Sequence, residues 1–289
     1  ILVLLLVALC GCSRQAPRQQ VPHPRTVSFS PAITELLFEM GFGDHLVGVT
    51  TYCRPPDGVD IPVIGNDLHV TAEPILAVRP DILITQSNPK KFETLTRLNP
   101  DIRIEHIKIE TLTDISNAMA RIATLMGAES KGVELSGRFL GQLADVRRRV
   151  AGRDKPRVVF VMGHHDPSTA GAETFINELI EVAGGVNASA EKYSGWKKID
   201  IESLLKLKPD VIVCESQTAA AAGAERYWSE LTGGPASGVR VLVVTDKRWT
   251  IPTGHMADTF AGKLADFLHP QTAGGPGKCP SRSRHCLTR

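Results

Sequence analysis

The sequence predicts an α/β protein of two Rossmann-like lobes joined by one long connecting helix, with a ligand cleft between the lobes. Three observations lead there. Residues 71–85 (T-A-E-P-I-L-A-V-R-P-D-I-L-I-T) and 200–214 (D-I-E-S-L-L-K-L-K-P-D-V-I-V-C) repeat one pattern at an offset of 129, with Glu73 matching Glu202, Leu76 matching Leu205, Pro80 matching Pro209 and Asp81 matching Asp210. The apolar runs Ile82-Leu83-Ile84 and Val211-Ile212-Val213 lack polar alternation, as strands in a sheet covered on both faces must. Between the copies, residues 129–151 keep helical spacing without a strand.

Taken in order, residues 25–29 read as a first strand, and Ser30-Pro31 cap and open a helix that Gly41 ends. Residues 46–50 form a second strand and 62–65 a short one. In each repeat a capping residue, Thr71 or Asp200, precedes a short helix with a glutamate in its first turn, and a proline stops that helix before the strand. A helix over 91–98 and a strand over 102–107 complete the first lobe. Ile115, Met119, Ile122 and Leu125 then share one helical face. In the next helix Val133, Phe139, Leu140, Leu143, Val146 and Val150 recur at threes and fours, and Arg147-Arg148-Arg149 suits its carboxyl end. The second lobe reads as a strand at 157–162, a helix at 174–183, the second repeat, a strand at 239–245 and a closing helix at 256–268. Trp228 falls in a helical stretch and reads as core.

The ends differ in character. Residues 1–9 are all apolar, too few to span a bilayer but suited to a signal peptide core, and Leu9-Cys10-Gly11-Cys12 places Cys12 where a bacterial lipoprotein is lipidated. The expected organisation is a lipoprotein-type signal peptide at 1–11, a flexible tether at 12–24, an N-terminal lobe at 25–128, a connecting helix at 129–155, a C-terminal lobe at 156–268 and a disordered basic tail at 269–289. The formal charge of +2 falls to −2 once the four basic residues of that tail are set aside, which gives no reason to expect a nucleic-acid partner. An exported chain leaves Cys53, Cys214, Cys279 and Cys286 three possible pairings. Cys214, inside an apolar strand, reads as a buried free thiol.

With these segments in place, the chain resembles the ABC-transporter substrate-binding proteins of the iron-siderophore and cobalamin class, most nearly the cobalamin-binding type. The resemblance covers residues 25–268 and rests on Ser28-Phe29-Ser30-Pro31-Ala32 with Thr34-Glu35-Leu36, Val47-Gly48-Val49 followed by Tyr52, the A-V-R-P-D and L-K-P-D repeats, and Glu181-Val182-Ala183-Gly184-Gly185-Val186-Asn187. It implies a periplasmic or extracytoplasmic monomer anchored to the membrane through a lipid. Such a protein captures a corrinoid or other metal-chelate small molecule and hands it to the transmembrane dimer of an ABC permease. It carries no cofactor of its own; cobalt or iron enters as part of the cargo.

The resemblance also assigns roles. Glu73 and Glu202, one on each lobe, match the glutamates that dock onto permease arginines. Tyr52 and Trp196 match positions that pack on the corrinoid. Trp249, after the last strand, is a third aromatic candidate, and aromatics are scarce at 5% of the chain. His164 and His165, after the first strand of the second lobe, could ligate a metal in the cargo or hydrogen-bond it. Where cobalamin-binding members carry an aromatic before the first repeat, this chain has Gly65-Asn66-Asp67-Leu68-His69, so ferric siderophore or haem is the alternative cargo. Two other classes fit less well. An enzyme of the chelatase kind finds no phosphate loop, dinucleotide fingerprint or nucleophile elbow. A receptor for free metal ions would need three or four converging ligands where the sequence offers one His pair.

Overall fold

The computed structural model describes residues 23–163, 166–216 and 221–270. The expected signal peptide, Cys12, most of the tether, His164, His165 and the tail from residue 271 lie outside the described residues.

The first lobe begins with β1 (Thr26–Ser28), α1 (Pro31–Glu39) and β2 (Leu46–Val49), followed by α2 (Ala72–Ala77), β3 (Ile82–Thr85), α3 (Glu93–Leu98) and β4 (Arg103–His106). Its sheet has the order β2-β1-β3-β4 and every pair is parallel. Two helices follow, α4 (Leu112–Leu125) and α5 (Glu129–Val150). The second lobe carries β5 (Arg157–Met162), β6 (Ser168–Ala170), α6 (Phe175–Val182), β7 (Val186–Asn187), β8 (Trp196–Lys198), α7 (Ile201–Lys206), β9 (Val211–Glu215), α8 (Ala221–Leu231) and β10 (Arg240–Val244). A π-helical turn, Ala257–Gly262, leads into α9 (Lys263–Leu268).

β10, β9, β5 and β7 pair in parallel and repeat the first lobe's order. The antiparallel strands β6 and β8 take the other half of the β5 edge. Sequence reading missed them, because three-residue strands are too short to show a period. It also predicted a strand at 62–65, where the structure has a single bridge between Val49 and Val63; Pro62 has no N–H to extend the ladder.

Both lobes pin the repeat in the same way. The N–H of Arg25 donates to Asp81 Oδ2 and that of Arg157 to Asp210 Oδ2, each at 2.7 Å. The Arg25 guanidinium donates to the carbonyls of Val78 (2.8 Å) and Arg79 (2.9 Å), and that of Arg157 to those of Leu207 (2.8 Å) and Lys208 (3.3 Å). These are orphan carbonyls at the helix end, which otherwise lack partners. Arg79 and Lys208, at equivalent places ahead of the prolines, share a left-handed backbone with φ of 45° and 50°. The repeated proline and aspartate are therefore explained by the fold; the repeated glutamate is not.

α5 buries Gly132, Leu135, Phe139, Leu143, Val146 and Val150. Val133 and Leu140, predicted on that face, are exposed at 73% and 49%. The true stripe starts one residue earlier, at a glycine that hydropathy does not flag. A Cβ on Gly132 would stand 2.6 Å from that of Ala123, so its absence lets α5 cross close to α4. One apolar cluster runs from α1 and α4 through α5 to β5, α6 and α9, joining the halves. Among the described residues no helix is long and apolar enough to cross a membrane.

Candidate ligand cleft

In an open parallel sheet a ligand crevice forms at the carboxyl ends of strands, where successive connections leave in opposite directions. In the first lobe that point lies between β1 and β3, and in the second between β5 and β9. Both open onto a hollow of about 380 Å³. Pro31, Ala32 and Gln86 line it from the ends of β1 and β3, and Ile109 adds to that side. Met162, Phe175 and Trp196 form the opposite wall, and Thr250, Ile251 and Pro252 complete it. Two hollows of about 430 and 750 Å³ lie away from the carboxyl ends of the strands, and charged side chains make up much of their lining.

Trp196 stands at the start of β8 rather than in a loop. It is 39% exposed, with its ring 6.1 Å from that of Phe160 and 6.3 Å from that of Phe175. The edge strand thus sets the indole at steep angles to two apolar rings and leaves part of it open, where it can pack on a flat ligand. Trp249, predicted as a contact, is 2% exposed and packs against Phe260 at 4.6 Å. It supports the wall from behind, while its successors Thr250 and Ile251 face the hollow. Tyr52 is 56% exposed at the end of β2 and is not part of the lining. Trp228 is fully buried, and Cys53 and Cys214 are buried free thiols; burial pushes the Cys214 thiol up to about 11. The placement of His164 and His165 lies outside the described residues.

Gln86 was missed, and a single polar residue after an apolar strand carried no signal of its own. Its amide nitrogen donates to Ser30 Oγ across the β1–β3 crevice, and its backbone carbonyl contacts His106 Nε2 at 3.2 Å. Loop 65–69 is tied down beside it. Asn66 Oδ1 accepts from the N–H groups of Leu68 and His69 at 2.9 Å, and the Asp67 carboxylate accepts from Ser87 Oγ and, at 3.0 Å, from Lys91 Nζ. Two carboxylates bridge the lobes. Glu39 Oε2 accepts from the N–H of Gly254 (3.2 Å), and Glu178 Oε2 from that of Leu112 (2.5 Å), at the amino end of α4. Burial raises the Glu39 carboxyl above its usual range, with His255 3.8 Å away as the main opposing charge. Among the described residues no group of three or more His, Cys, Asp or Glu is placed to hold a metal ion.

Glu73 and Glu202 each occupy the second position of a six-residue helix. Both are exposed. Glu202 pairs with Lys206 at 2.7 Å, one turn on, and Glu73 has no ion-pair partner among the described residues.

Two α/β lobes facing one crevice, with a wall suited to holding a molecule, have the form of a binding protein. The chain belongs to the periplasmic binding protein family, whose signature matches residues 27–227, and is the substrate-binding component of an ABC importer rather than an enzyme. It is 28% identical to the uncharacterized ABC transporter substrate-binding lipoprotein YvrC of Bacillus subtilis (strain 168), over 72% of this chain and 68% of that protein. It is 25% identical to the vitamin B12-binding protein of Salmonella typhimurium, over 72% of this chain and 78% of that protein. The crystal structure of the periplasmic heme-binding protein HutB of Vibrio cholerae superposes with a TM-score of 0.75 at 21% identity, covering 86% of this chain and all of that one.

Proposed function

We propose that the cargo is a corrinoid of the cobalamin kind, held between the lobes and delivered to the permease. The observation that carries this reading is the cleft wall. An exposed indole edge, Phe175, Met162 and Ile109 offer apolar surface, and only Gln86 and Thr250 contribute neutral polar side chains to the described lining. A large flat molecule with a hydrophobic face and a few hydrogen-bonding groups matches such a site. The 25% identity to a vitamin B12-binding protein supports the same choice. Haem and ferric siderophores are the alternative cargo.

In this reading Trp196 packs on the ligand, Tyr52 meets it at the outer rim, and His164 and His165, which follow β5 in the sequence, ligate or hydrogen-bond it. Glu73 and Glu202 dock on the permease, Cys12 carries a lipid that tethers the protein outside the cytoplasm, and the protein acts as a monomer without a cofactor of its own. The test is a titration of the protein with cobalamin, haem and a ferric siderophore, followed by tryptophan fluorescence. One-to-one binding of cobalamin, weakened at least about tenfold in Trp196→Ala, is the expected result. Binding of haem or the iron chelate alone would keep the receptor and replace the cargo.

A further inference from the structure

The repeat does not stop at residue 85. At the same offset of 129, Gln86 corresponds to Glu215, the last residue of β9. The two positions are equivalent in space as well as in sequence. Gln86 follows β3 at the crevice of the first lobe, and Glu215 closes β9 at the crevice of the second. Glu215 lies in register beside Met162, which lines the hollow, and alternation along β9 puts its side chain on the face that Val211 and Val213 present to the shared core.

The two residues differ in how their polar groups are used. The Gln86 amide is held by Ser30. The Glu215 carboxylate is half-buried, yet no hydrogen bond or ion pair engages it among the described residues. The nearby charged groups do not change this. Arg248 is taken by Asp246 at 2.7 Å. Lys247 is exposed and acts on Glu215 only through its charge, and burial holds the carboxyl above its ordinary range. The carboxylate oxygens still reach solvent, but half-burial weakens their hydration, so a donor on the cargo would gain by meeting them; Glu215 is not itself in the lining but lies beside Met162, which is.

We propose that Glu215 is a specificity-determining residue of the cleft, selecting cargo that presents amide or other neutral N–H donors at the second lobe's crevice and turning away cargo that presents carboxylates there. The role rests on the cleft being the cargo site. A donor from the ligand would satisfy the carboxylate, whereas a ligand carboxylate would set two like charges together in a partly dry site. Gln86, neutral and already oriented, serves either cargo.

The test compares cobalamin with the monocarboxylic acids made by hydrolysing one of its side-chain amides, which keep its size and shape. Titrations use the wild-type chain, Glu215→Gln and Glu215→Asp. Wild type should prefer the amide form over at least one of the acids by tenfold or more. Glu215→Gln should shrink that preference to about threefold or less by gaining affinity for the acid, and Glu215→Asp should keep it. Thermal unfolding of each variant reports whether it is folded. Equal binding of all forms by wild type, or an unchanged preference in folded Glu215→Gln, overturns the role of Glu215. So does tight haem binding that Glu215→Gln fails to improve. Wild type that binds neither corrinoid nor haem would instead remove the cargo reading, and the selectivity with it.

Discussion

Glu35 lies on α1 beside the 246–255 segment, and burial pushes its carboxyl up to about 7, with Arg248 opposing the shift and Glu39 and Asp246 adding to it. The native state therefore holds this proton more tightly than the unfolded chain, whose glutamate titrates near 4.5. The resulting stability is complete below about pH 4.5 and is lost as pH rises through about 7. Glu35→Gln removes the cost of a buried charge, so it should stabilise the protein by about 1–2 kcal/mol at pH 8 and by almost nothing at pH 4. Thermal unfolding at the two pH values checks this, and a pH-independent gain would mean that packing rather than charge is responsible. Single residues were only partly legible in the sequence. Standing after the last strand flagged Trp249, but whether an aromatic faces a cleft or fills the space behind it depends on neighbours such as Phe260, which lies in another element. Gln86 and Glu215 gain meaning only once the crevices are located.

Among elements, the regular ones were readable because their signals are local. Ser30 with Pro31 announces α1, and the proline of each repeat ends α2 and α7 before strands buried on both faces. What could not be read depends on distant partners: the pairing of β6 with β8, the π-helical turn ahead of α9, and the single glycine, Gly132, that lets α5 meet α4. The joint between α1 and the segment after β10 belongs to that second kind. Glu39 accepts from the N–H of Gly254 because nothing larger than hydrogen stands there, and an added Cβ would come within 2.8 Å of the Met119 methyl as well as crowding the carboxylate. Gly254→Ala should therefore lower stability by about 2 kcal/mol, through overpacking and loss of that hydrogen bond. The denaturant midpoint measures it. An unchanged midpoint would show that the two elements separate at little cost.

At the scale of the molecule, the repeat sets one exposed glutamate on each lobe. α2 and α7 run antiparallel to the strands they precede, so their first turns stand at the carboxyl edge of each sheet, the edge that also carries the crevice. Glu73 and Glu202 therefore mark equivalent points on the two lobes. Their repeated partners are spent on structure: Pro80 and Pro209 stop the helices, Asp81 and Asp210 hold the first strands, and Leu76 and Leu205 pack on the cores. The exposed i,i+4 pair of Glu202 with Lys206 is worth about 0.3–0.5 kcal/mol, and Glu73 has no such pair among the described residues, so stability does not account for the second copy. Two equivalent carboxylates suit a permease dimer with a two-fold axis; in the proposed docking each meets the same cationic site on one half. Reversing one, Glu73→Lys or Glu202→Lys, should slow uptake by weakening one half of the contact. Reversing both should abolish it, while cargo affinity in the isolated protein changes less than about twofold and thermal stability barely moves. Uptake assays in cells lacking the wild-type protein, paired with titrations of the purified variants, separate these effects. Transport that survives the double reversal would place the permease contact elsewhere on the lobes.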